Sequence, residues 1–71
     1  MLVNFAFRVA FTDTRTGRRV TRQSTAHRVA IDSGDLVSAK AKAEGILMNW
    51  RGIADAVVTE IHFYGDQWRA V

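Results

Sequence analysis

From Val3 to Phe11 every odd position is large and apolar (Val3, Phe5, Phe7, Val9, Phe11), and the even positions hold Asn4, Ala6, Arg8 and Ala10. Strict period-two alternation over nine residues predicts a β-strand with one buried face. Thr12 to Arg18 follows with turn formers. Asp13 can bond local amides and Gly17 can take positive φ, which predicts a hairpin loop of about four or five residues with Arg15 and Arg18 at its tip.

Arg19 to Ile31, rich in Thr and Val, is the expected return strand. A register in which paired residue numbers sum to 32 puts Phe5 opposite His27, Val3 opposite Val29 and Asp13 opposite Arg19. A register slipped by one would turn Arg22 and Arg28 toward the Phe side, where unpaired charge is costly, so the first register is preferred. The outer half, around Thr21, Gln23 and Thr25, is too polar for a core face and has room for a bulge.

Asp32-Ser33-Gly34-Asp35 offers an N-cap to an Ala-rich helix, with Asp35 favourably placed for the helix dipole. Leu36, Ala39, Ala43, Leu47 and Trp50 recur at spacings of three or four and form one apolar stripe, flanked by Val37, Ala41 and Met48. Gly52 is the expected stop, and Gly45 in the helix interior suggests close backbone approach to the sheet. Val57 to Tyr64 alternates again as a third strand: Val57, Thr59, Ile61 and Phe63 on one face, Val58, Glu60, His62 and Tyr64 on the other. After Gly65, the segment Asp66 to Val71 is expected to add a turn or short strand that docks Trp68. The order implies an α+β domain of ββαβ type, a three-stranded sheet with one helix packed on one face. One helix cannot cover both faces, so the other meets water or a partner.

Charge sharpens this picture. Residues 1–31 carry six Arg against one Asp, and residues 32–71 carry four Lys or Arg against six acids. All six Arg of the first part (Arg8, Arg15, Arg18, Arg19, Arg22, Arg28) fall on the hairpin, so the basic charge belongs to a surface suited to an anionic partner. The chosen register gathers Arg8, Arg22 and Arg28 with small residues on the uncovered face, beside Tyr64, the one aromatic placed there. Trp68, if exposed, is a further partner anchor.

At 71 residues the chain holds one core, and the small core makes a homodimer through an exposed edge strand a live expectation. It has no Cys and no apolar run near 18 residues, as expected for a cytoplasmic protein without a membrane span. His27 and His62 lie on opposite predicted faces, so neither a metal nor another cofactor is expected. No phosphate loop, nucleophile elbow or dinucleotide fingerprint occurs, and no enzymatic activity is expected. The one catalytic arrangement the chemistry allows is a ribonuclease using His62 with Glu60, Tyr64 and an Arg.

The run Arg28-Val-Ala-Ile-Asp-Ser-Gly-Asp-Leu36, a strand leading through a capped turn into an Ala-periodic helix, with the strand Val57 to Tyr64 after it, resembles small accessory proteins encoded by bacteriophages of GC-rich bacteria. That resemblance implies a protein that inhibits or redirects a host protein. Taken together, the expectation is a non-enzymatic module docking its Arg-rich hairpin on an acidic protein surface, with sequence-tolerant nucleic-acid binding as the alternative.

Overall fold

A computed structural model describes all 71 residues. The chain forms β1 (Leu2–Asp13), β2 (Arg19–Gln23), β3 (His27–Ala30), α1 (Leu36–Leu47), β4 (Ile53–Phe63) and β5 (Trp68–Ala70). All strand pairs are antiparallel. β1 lies at the centre, bordered by β4 on one side and by β2 and β3 in succession on the other, with β5 outside β4. The curled sheet therefore has five strands, not three. A 12-residue strand is about 40 Å long, which matches the 39 Å long axis of the molecule and leaves room for two short strands along one edge of β1.

The division of the return strand has a specific cause. β3 pairs with β1 in the expected register, Phe5 with His27 and Val3 with Val29. β2 pairs one residue out of step, Val9 with Arg22 and Thr12 with Arg19, so Asp13 does not face Arg19. Ser24, Thr25 and Ala26 form the bulge between them. Ser24 N donates to Phe7 O (2.8 Å), and the Ser24 hydroxyl accepts from Phe7 N (2.9 Å) while donating to Thr25 O (2.8 Å). The buried hydroxyl thus supplies the acceptor that the interrupted ladder cannot. Ser24→Ala orphans the buried Phe7 amide, and the expected cost is about 1–3 kcal/mol. Thermal unfolding should register this as a fall in Tm of about 4–8 °C per kcal/mol, with Ser24→Thr close to wild type. An unchanged Tm in the Ala variant would show the hydroxyl to be dispensable.

One face of the sheet carries the core: Phe5, Phe7, Val9 and Phe11 from β1, Val58, Ile61 and Phe63 from β4, and Ala39, Ala43 and Leu47 from α1. The helical stripe is as expected, although Val37 and Met48 point to solvent at 83% and 86% exposure and Ala41 is exposed. Asp35 is the N-cap, accepting from Ser38 N (3.1 Å) and the Ser38 hydroxyl (2.7 Å). These bonds hold its carboxyl below the usual range. The helix ends at Leu47, short of Gly52, and Trp50 lies beyond it yet packs on Phe7 and Phe11 (ring centroids 5.9 and 6.3 Å). Gly45 is exposed with open space where a Cβ would stand, so it marks no close approach.

β4 departs from strict alternation. Register shifts against β1 fall between Arg8 and Val9 and between Ala10 and Thr12. They turn Val58 inward against Val9 and leave Val57 exposed on the opposite side, reversing the expectation for that pair. Asp55, at φ 51°, accommodates the second irregularity, and its carbonyl accepts from Arg19 Nη1 at 2.6 Å.

Candidate functional site

The face opposite α1 is organised in rows across the strands. Arg28, Asn4 and Tyr64 form the first: β3 pairs Arg28 with Asn4, and Tyr64 N donates to Asn4 O (3.2 Å). The second holds Ala6, His62 and Trp68; the third Gln23, Arg8, Glu60 and Ala70. Arg19 and Thr12 lie at the far end. The expected tail strand is β5, and its pairing with β4 is what brings Trp68 onto this face.

Within these rows the side chains of Tyr64, His62, Trp68, Arg8 and Glu60 form one connected group. The His62 ring sits 4.9 Å from Tyr64 and 4.9 Å from Trp68, the latter pair stacked at 25°. The Arg8 guanidinium lies 4.0 Å from the Trp68 ring centroid, within cation–π range, and Arg8 Nη1 is 3.2 Å from Glu60 Oε1. Ala6 is 1% exposed although no helix covers this side, so the aromatic row itself shields the sheet there. Tyr64 remains 55% exposed. The result is a ladder of three rings capped by a guanidinium, with Arg28 in the Tyr64 row on the far side of Asn4.

The six hairpin Arg do not form one platform. Arg8, Arg19 and Arg28 share the open face. Arg22, expected there, is carried by the bulge to the other side, opposite Val9. It avoids burial because it stands at the rim, exposed, its guanidinium 5.9 Å from the Phe11 ring centroid. Arg15 and Arg18 project from the loop Thr14–Arg18, which closes through Gly17 N to Asp13 O (2.8 Å) with Gly17 at φ 70°. The Arg15 amide donates to Asp13 Oδ1 (2.9 Å) and holds that carboxyl below its usual range, with the Arg15 guanidinium adding to the effect at 3.6 Å. At the opposite end, Asp66 is likewise held down, first by the Gln67 amide and then by Arg69 Nε at 3.1 Å.

Sequence reasoning missed Arg51. It follows Trp50 in the α1–β4 connection and joins Arg15 and Arg22 around a cleft of about 510 Å³ floored by Phe11, Trp50 and Ile53. The pair Trp50-Arg51 before Gly52 was the available signal, masked by the assignment of Trp50 to the helical stripe.

The residues of a His-dependent nuclease, Arg8, Glu60, His62 and Tyr64, do share the open face. However, Glu60 is engaged by Arg8, and His62 makes no side-chain hydrogen bond; its ring is held by stacking. No group of three His, Cys, Asp or Glu side chains lies close enough to hold a metal ion. No helix is long and apolar enough to cross a membrane. At the sheet edges, the β2–β3 side is broken by its bulge, and β5 pairs only with Glu60–His62 of β4, which leaves 53–58 of β4 without a strand partner on that side. Comparison with protein-family models, curated proteins and solved structures finds no match to this chain.

Proposed function

We propose that this protein is a non-enzymatic binding module for single-stranded nucleic acid, with the open sheet face as its contact surface. The observation that carries this reading is the Tyr64–His62–Trp68 ladder beside Arg8 and Arg28. A ring stack on an uncovered sheet, ending in the 55% exposed Tyr64, suits unpaired bases, which extend such a stack irrespective of sequence, while guanidiniums follow the phosphates. Duplex nucleic acid keeps its bases stacked inside and would have no use for the ladder. An acidic protein surface, the reading charge alone favours, would use the Arg residues and take Tyr64 or Trp68 as single anchors, with no need for three rings in one stack.

The phosphate contacts fall to Arg28, which has no side-chain partner, and to Arg19, whose bonds to Asp55 O and Thr12 Oγ1 leave further donors free. Arg8 serves the ladder and is balanced by Glu60. Binding of an unstructured oligonucleotide should therefore weaken with salt at a log–log slope of about −0.7 for each phosphate neutralised, hence about −1 to −2 in total. Fluorescence titration at several salt concentrations checks this. A slope near zero, or no retention at low salt, would oppose the reading and assign the basic surface to an acidic protein. In that event Arg15 and Arg18 at the tip and Arg22 on β2 become the residues to replace together.

A further inference from the structure

We infer that the cleft at the hairpin-tip end of the helix-covered face binds a small organic anion that joins a phosphate to a flat unsaturated ring through a short spacer, as a nucleoside monophosphate does through its sugar. The inference stands independently of the open face. Three guanidiniums reach the cleft from three separate elements: Arg15 from the hairpin loop, Arg22 from β2 and Arg51 from the connection after α1. Like charges repel when brought together, and folding normally scatters them unless something anionic is to be held. The sole carboxylate lining the cleft, Asp13, already accepts from the Arg15 amide and lies beside the Arg15 guanidinium. Arg22 and Arg51 have no ion-pair partner, which leaves two forked donor sets free for a phosphate.

The rest of the lining selects what the phosphate is attached to. Phe11 and Trp50 meet edge to face at 88° with centroids 6.3 Å apart, and Ile53 completes an apolar floor beneath the charges. A ring laid against that floor buries apolar area and places its charged substituent among the guanidiniums. Phe11 is itself 3% exposed and backs the floor, so the half-buried Trp50 and Ile53 supply the apolar area that a ring would cover. The volume of about 510 Å³ lies within the range of small-molecule sites. Inorganic phosphate would meet the charges and waste the floor; a neutral nucleoside would do the reverse.

The two Trp residues stand on opposite faces and report the two surfaces separately. In a titration with AMP followed by NMR of the indole N–H signals, assigned with Trp68→Phe, the Trp50 signal should move saturably and the Trp68 signal little. Arg22→Ala and Arg51→Ala, both at exposed positions, should each weaken this binding about tenfold or more while leaving the spectrum of a folded protein. Inorganic phosphate and adenosine, titrated separately, should each bind more weakly than AMP.

A Trp50 signal that stays fixed at millimolar AMP, or that moves identically in both Arg variants, overturns the site. Motion confined to Trp68 assigns the ligand to the open face and likewise overturns it. Inorganic phosphate binding as tightly as AMP overturns the ligand class, as does a Glu-rich peptide that displaces AMP at lower concentration than AMP itself requires. An oligonucleotide that moves Trp68 or fails to do so bears only on the open face.

Discussion

Trp68→Ala and Tyr64→Ala are each expected to weaken binding of an unstructured oligonucleotide by about 5- to 150-fold, and the double variant by more than either alone. The range follows from the 1–3 kcal/mol or so that one base gains by stacking on an aromatic side chain, directly at Tyr64 and at Trp68 through the ring stack that it holds in place. Tyr64 is the cleaner of the two. It is 55% exposed and lies just beyond β4, so its removal should leave Tm unchanged. Trp68 opens β5 and supports the Arg8 guanidinium, so its loss frees Arg8 as well as removing a ring. The core that holds β1, β4 and α1 together does not include Trp68, and circular dichroism should confirm a folded Trp68→Ala domain. Undiminished affinity in a folded double variant would sink the open-face reading. Phe substitutions at both positions should restore most of the affinity, since the ladder needs flat rings more than their polar edges.

That ladder was only half legible in the sequence. The alternation from Val3 to Phe11 sufficed to place the core face of β1, because a buried strand face demands large apolar side chains at every second position. The helix was legible from its stripe and from Asp35. Tyr64 and His62 could be placed on the uncovered face by counting along β4. Trp68 could not, because a three-residue strand has too few positions to show a period, and its face depends on pairing with β4 across the turn at Gly65. Arg22 was misplaced for a related reason. Periodicity assumes an unbroken ladder, and the bulge at Ser24 to Ala26 adds a residue that carries no hydrophobic signature of its own. The penalty argument against turning Arg22 toward the Phe side held for a buried site but not for the rim, where its guanidinium stays in water above Phe11.

Phe7→Ala is expected to remove from about a quarter to all of the stability of the domain. Phe7 is 0% exposed and meets Trp50, His27 and Phe5 with ring centroids 5.9, 6.1 and 6.2 Å away. Truncating a buried Phe costs about 3–5 kcal/mol through lost transfer free energy and the cavity left behind. A 71-residue chain has in total only about 4–11 kcal/mol at the usual per-residue stability. Urea unfolding followed by circular dichroism should show the midpoint falling by about a quarter or more, and Phe7→Leu, which preserves most of the volume, should lose less. A Phe7→Ala domain with a wild-type midpoint would mean that the cluster around this ring contributes little. The same change removes one wall from Trp50, so any folded fraction should also show a shifted Trp50 environment.

The bulge in the return strand has an evolutionary corollary. Because residues before and after it follow registers that differ by one, loss of a single codon between Ser24 and His27 would join β2 and β3 in one unbroken ladder while every flanking residue keeps its face, Arg22 still opposite Val9 and His27 still opposite Phe5. The Phe7 amide would then meet a backbone carbonyl, and the hydroxyl that now serves it would lose its task. A single-residue deletion at this point is therefore the genetic route by which the return strand becomes continuous without moving charge between the two surfaces.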